Sequence, residues 1–138
     1  DSGSEEVRRR NKTRFYSNER LLSFASAAAA AGLRVKACFS TGLPFETGRD
    51  FLMTVRLART LKEDCGADVA ISGIALEPAA PMFLAPEKFG VTAEKRSFRD
   101  FMRRTGPEDL GYGTRQLPRA RIERNIAKFR ALFGGGPG

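Results

Sequence analysis

Apolar residues recur along this chain with two different periods, and each change of period marks a new element. From residue 18 to residue 31, Leu21, Leu22, Ala25, Ala28 and Ala29 share one face at helical spacing, with Asn18 placed to cap and Gly32 to stop. The alanine run favours helix but makes a thin interface. LRVKACFST (33–41) then alternates, with Leu33, Val35, Ala37 and Phe39 on one side and Arg34, Lys36, Cys38 and Ser40 on the other. That pattern predicts a strand whose second face is polar. Thr47 followed by Asp50 reads as a capping box, opening a helix in which Phe51, Leu52, Val55, Ala58 and Leu61 keep helical spacing as far as Gly66. ADVAISGIAL (67–76) predicts the second strand. EPAAPMFLAP is too proline-rich for a regular element, SFRDFMRR reads as a short helix capped by Ser97 and Asp100, and TGPEDLGYG reads as loop. Pro118 suits the first turn of a last helix striped by Ile122, Ile126, Phe129 and Phe133.

Helices alternating with strands over short connections predict an α/β fold built from right-handed βαβ units around a parallel sheet. In such sheets function gathers at the carboxyl ends of the strands, which here are STGLPFET and ALEPAAPM. Gly42 lets backbone approach a ligand, Pro44 stiffens the turn, and the helix that follows offers unpaired N–H groups. Local chemistry leaves two readings open: a ligand-binding turn, or a plain strand-to-helix turn.

A chain of 138 residues is the size of one domain and can bury roughly two-thirds of its unfolded surface. Lys plus Arg number 24 against 16 Asp plus Glu, a formal +8, which raises nucleic acid as a partner. The basic residues of RRRNK, EKRSFRDFMRR and the last helix are interleaved with acids and apolar positions, so they read as solvated faces rather than a nucleic-acid site. Cys38 and Cys65 stand far apart and outside any Cys-x-x-Cys pattern, so the chain's own thiols predict no metal site. The absence of histidine removes the commonest general base and any Ser-His or Cys-His couple. FASAAAAAGLRV is too short for a membrane span, and DSGSEEVRRR has no apolar leader region, so a cytoplasmic, reducing setting is expected.

Taken together, DSGSEEVRRRNK, VKACFSTGLPFET and ISGIALEPAAPM, each separated by a helix, resemble the second half of the radical S-adenosylmethionine enzyme barrel. The resemblance covers roughly residues 1–90. Its Glu-Pro after the last strand and the APEKFGV that follows are closest in style to the subgroup associated with a cobalamin-binding domain. It implies a partial (β/α) barrel over 1–90, a helical extension over 91–133 and a flexible tail over 134–138. It also implies S-adenosylmethionine as cofactor: Asp1 and Ser2 would hydrogen-bond its ribose or amino-acid part, and Lys12 would meet its carboxylate. Ser40, Thr41 and Gly42 would pack on adenine, and Ile74, Ala75 and Leu76 would offer backbone to it. Ser40 departs from the family pattern, which places a branched apolar residue there. Glu46 matches the motif acid, expected to hold the turn and cap the helix rather than to do chemistry.

The family's 4Fe-4S cluster sits on a Cys-x-x-x-Cys-x-x-Cys loop, and that loop is absent from this sequence. The resemblance therefore implies a piece of a catalytic domain, inactive alone, whose partners are the remainder of that domain and a small-molecule substrate. Lys36 and Cys38 would face the barrel lumen as substrate-side candidates, with a packing role open for Cys38; Glu77 would contact substrate or hold its loop. Cys65 is expected only to pack, and Tyr112 has no partner that sequence names. A self-contained basic α/β module binding nucleic acid or another acidic partner is the alternative.

Overall fold

The computed structural model describes residues 1–134. Helix α1 (Glu5–Asn11) forms because Ser4 caps it, its side chain accepting from the Val7 N–H, with Glu5 and Glu6 in the first turn and Arg8, Arg9 and Arg10 in the last, the order that suits the helix dipole. Helix α2 (Asn18–Ala30) is capped by Ser17, whose hydroxyl accepts from the Arg20 N–H at 3.2 Å. Asn18 does not cap it, because its amide turns back to donate to Gly3 O at 3.0 Å and to accept from Arg8 at 2.7 Å. Strand β1 (Lys36–Thr41) is shorter than the alternating run, and Leu33 is left exposed.

Helix α3 (Gly48–Cys65) has the expected capping box of Thr47 and Asp50 and ends at Gly66 in the left-handed conformation. It connects β1 to the parallel strand β2 (Asp68–Gly73), paired from Lys36 opposite Asp68 to Thr41 opposite Gly73. Ile74 to Leu76 lie beyond β2 in irregular backbone. The proline-rich stretch does hold a regular turn, α4 (Pro81–Leu84), which tolerates Pro81 at its start because that N–H would have no partner anyway. A 3-10 turn (Pro86–Phe89), β3 (Val91–Ala93), α5 (Phe98–Phe101), β4 (Tyr112–Thr114) and α6 (Arg119–Phe133) complete the described chain. The segment read as loop thus ends in a strand, β4, which pairs antiparallel with β3.

Helices α3 and α6 both contact β1 and β2 and touch each other, so they cover the same face of the parallel sheet. Phe39 and Ile71, opposite one another in the ladder, are buried there, and Phe39 meets Phe129 with ring centroids 6.0 Å apart. Val55, Ala58 and Leu61 of α3 and Ile122, Ile126, Phe129 and Phe133 of α6 fill the same cluster, whereas Leu52 is exposed. Residues 91–133 therefore share one core with residues 1–90, each large side chain adding about 1.5–3 kcal/mol by burial. The other sheet face is uncovered: Lys36, Cys38 and Ser72 are exposed, and Ser40 and Ala70 half-buried. Along the free edge of β1 the backbone nitrogen of Asp1 donates to Cys38 O (3.0 Å) and Ser40 N–H donates to Asp1 O (2.8 Å), the pair of bonds that makes a parallel bridge opposite Phe39. The fold is mixed α/β, and no described helix is long and apolar enough to cross a membrane.

Candidate functional site

At the carboxyl end of β1 the sequence-derived residues separate into two groups. Asp1, Lys12 and Ser40 come together on the uncovered side. The Asp1 carboxylate accepts from the Tyr16 hydroxyl at 2.6 Å, from Lys12 Nζ at 2.8 Å and from the Ser2 N–H at 2.9 Å, while Ser40 Oγ lies 3.4 Å from the Asp1 nitrogen. A ligand carboxylate approaching Lys12 must compete with Asp1 for it.

Ser2, Thr41 and Gly42 belong instead to the interior. The Ser2 hydroxyl accepts from the Ser4 N–H and lies 3.5 Å from Thr54 Oγ1, so it braces α1 against α3 and cannot reach a ligand. Thr41 is fully buried with its hydroxyl on Glu46. Gly42 has φ 84, and a Cβ there would meet Ile122 Cδ1 at 2.9 Å and the Tyr112 hydroxyl at 3.0 Å. The glycine is thus required by left-handed backbone and by the approach of α6 and β4, and its side-chain direction holds protein, not open ligand space.

Glu46 is the electrostatic centre of that turn. The chain doubles back through Phe45, whose φ of 67 costs about 1–3 kcal/mol in a bulky residue, and delivers the Glu46 carboxylate beneath the end of β1. Oε2 accepts from the Gly42 N–H at 2.5 Å and the Leu43 N–H at 3.1 Å; Thr41 Oγ1 lies 3.3 Å from Oε1. Burial dominates and pushes the pKa up to about 7, against the pull of the Gly42, Leu43 and Thr41 donors, with the Asp50 charge adding to the rise. A protonated Oε1 can donate to Thr41 Oγ1 while Oε2 keeps both N–H groups, so the turn accommodates either state. Glu46 holds the turn as the sequence implied, but Thr47 and Asp50 cap α3 without it. Asp50 itself stays below the usual carboxylate range: burial pushes it up, and donors from Ser4 and Thr47 outweigh that.

Beyond β2, Ile74 is half-buried and Ala75 exposed, whereas Leu76 is buried with its N–H committed to Leu110 O at 2.7 Å. Glu77 is exposed in the following turn, its carbonyl accepting from the Ala80 N–H. Lys36 and Cys38 stand on the open sheet face, and Cys65 half-buried at the end of α3. Among the described residues no three His, Cys, Asp or Glu side chains group as a metal site would need. Two thiols on separate elements do not fit a four-iron cluster, which takes several cysteines converging on one loop region.

Two residues that hold this region together are not evident from sequence. Arg8, inside a run that reads as solvated, is buried and donates to Ser2 O (2.7 Å), Tyr16 O (3.0 Å) and Asn18 Oδ1 (2.7 Å), with its guanidinium over the Tyr16 ring. Burial pulls its pKa down while Tyr16 and Glu5 pull it up, and a guanidinium stays charged throughout. Tyr112 is fully buried and donates to Gly42 O at 2.7 Å; burial and the nearby Glu46 charge push its hydroxyl pKa up. Nothing next to Tyr112 in the sequence signals this, since Gly111 and Gly113 read as loop. No protein-family model matches this chain, and no curated protein matches it.

Proposed function

We propose that this chain forms part of the catalytic barrel of a radical S-adenosylmethionine enzyme, contributing strand ends that bind the cofactor. The observation that carries the proposal is the parallel βαβ unit with one face buried under α3 and α6 and a polar face left open, with Asp1, Lys12 and Ser40 gathered where β1 ends. A sheet covered on one side only, with a backbone bridge along its free edge, supports a barrel wall whose open face is the lumen.

When bound, S-adenosylmethionine supplies a sulfonium whose reductive cleavage begins the chemistry of such enzymes. In this chain Lys12 would bind its carboxylate, Asp1 and Ser40 would bind through their polar atoms, and Ile74 and Ala75 would offer backbone to adenine. The Ser2 and Thr41 hydroxyls and the Leu76 N–H take no part, being spent inside the protein. Lys36, Cys38 and Glu77 remain the substrate-side positions. The electron-supplying cluster has no site among the described residues, and a cobalamin domain would belong to other sequence.

The test is an amide NMR titration of the chain with S-adenosylmethionine and S-adenosylhomocysteine. Shifts confined to Lys12, Ser40, Ile74 and Ala75, and lost in Ser40→Val and Lys12→Gln, are expected. No shift at millimolar cofactor would refute the proposal. Binding of single-stranded RNA with a steep salt slope in its place would give the chain to the basic-module alternative.

A further inference from the structure

Helix α6 carries its cations in two different settings. Arg119 is matched by Glu94 and Glu123, and Arg130 by Glu108. Arg121, Arg124 and Lys128 make no such ion pair among the described residues and lie on one stripe of the helix. With Asn125 they line one wall of a groove of about 550 Å³, whose other wall is Gly48, Phe51 and Leu52 of α3. Among the described residues no carboxylate lines it. The first-turn acid of α3, Asp50, is turned away, with one oxygen on Ser4 Oγ and the other on Thr47.

Two features of this groove lack their complement. The Arg121 guanidinium stands 3.9 Å from where a Gly48 Cβ would be, so a cation sits over the positive end of an 18-residue helix. Arg124 and Lys128 add charge of the same sign. An anion in the groove answers both at once: it offsets the helix end and pairs the cations. The volume exceeds that of a bare phosphate and lies in the range of small-molecule sites, and Leu52 and Phe51 give it an apolar wall.

We propose that the groove between the first turn of α3 and the basic stripe of α6 binds the phosphoryl group of a small organic phosphate. The site lies apart from the strand-end cluster and does not depend on the S-adenosylmethionine proposal. Phenyl phosphate, inorganic phosphate and phenol, titrated by calorimetry into the chain, separate the contributions. Phenyl phosphate should saturate one site, more tightly than inorganic phosphate, and phenol should not bind. Arg121→Gln and Arg124→Gln, both at exposed positions, should each weaken binding about tenfold, as loss of a charge-assisted contact does. Lys128→Gln, at the far end of the same stripe, should weaken it several-fold. Arg34→Gln, on the far side of β1 and paired with Asp68, should change nothing. Absence of saturation, equal weakening by Arg34→Gln, or full affinity in Arg121→Gln and Arg124→Gln would each overturn the proposal.

Discussion

Replacing Glu46 by Gln tests whether the buried carboxylate of the β1–α3 turn is protonated near neutral pH. The carboxyl is raised from 4.5 to about 7 in the folded chain, chiefly by burial. Between those two values the folded state holds a proton that the unfolded state has released. Stability is therefore fully present below about pH 4.5, falls as pH rises toward 7 and levels off above it. At 1.36 kcal/mol per pKa unit the loss is about 3 kcal/mol, a large share of the ~5–15 kcal/mol that hold a domain together. Gln is the neutral isostere: its carbonyl can accept from the Gly42 and Leu43 N–H groups and its amide can donate to Thr41 Oγ1. The variant should match the wild type at pH 5 and exceed it at pH 8. Urea unfolding followed by far-UV circular dichroism at pH 5, 6, 7 and 8 gives both profiles, and subtracting one from the other cancels every other titration, with no histidine to complicate the window. A wild-type stability that is flat or rising from pH 5 to 8, or a variant with the same slope as the wild type, would show that the three donors outweigh burial and keep the carboxylate ionised.

Arg8→Lys keeps the charge but cannot reach Ser2 O, Tyr16 O and Asn18 Oδ1 together, so it should cost about 2–3 kcal/mol in urea unfolding; a change under ~0.5 kcal/mol would mean that Arg8 is not buried as described. Gly3→Ala would set its Cβ against the Thr54 backbone, which cannot turn aside as a side chain can, so about 2–3 kcal/mol should be lost, whereas Gly66→Ala, with open space but a φ of 62, should lose about 1 kcal/mol from backbone strain alone. Cys38 should react with Ellman's reagent several-fold faster than Cys65; equal rates would mean that the polar face of β1 is covered in solution.

The parts of this fold that are legible in the sequence are those decided within one or two turns. Thr47 and Asp50 close a capping box whatever lies around them, and Ile122, Ile126, Phe129 and Phe133 are buried as their spacing requires. Alternation correctly sends Phe39 inward and Cys38 outward. Leu33 and Leu52 fit their periods yet stay exposed, because the sheet begins only at Lys36 and α3 meets its neighbours on a narrower stripe than its apolar pattern spans. What escapes local patterning is fixed by distant partners. Arg8 is drawn inward by carbonyls of Ser2 and Tyr16, and the three-residue strands β3 and β4 exist only as a pair. Thr41 and Gly42 stand at a strand end, but whether Gly42 faces a ligand or the core is settled by β4 and α6, which cover it from far along the chain.

The bond from Tyr112 to Gly42 spans 70 positions, so the β1 turn is sealed only when the two halves of the chain meet. In the unfolded chain Glu46 faces water and ionises as an ordinary carboxylate. Folding at neutral pH is then accompanied by partial proton uptake, so slightly acidic solution favours closure of the β1 turn and alkaline solution resists it. A refolding jump in weakly buffered indicator dye would register that uptake as a lasting alkaline shift, appearing in step with the burial of Tyr112.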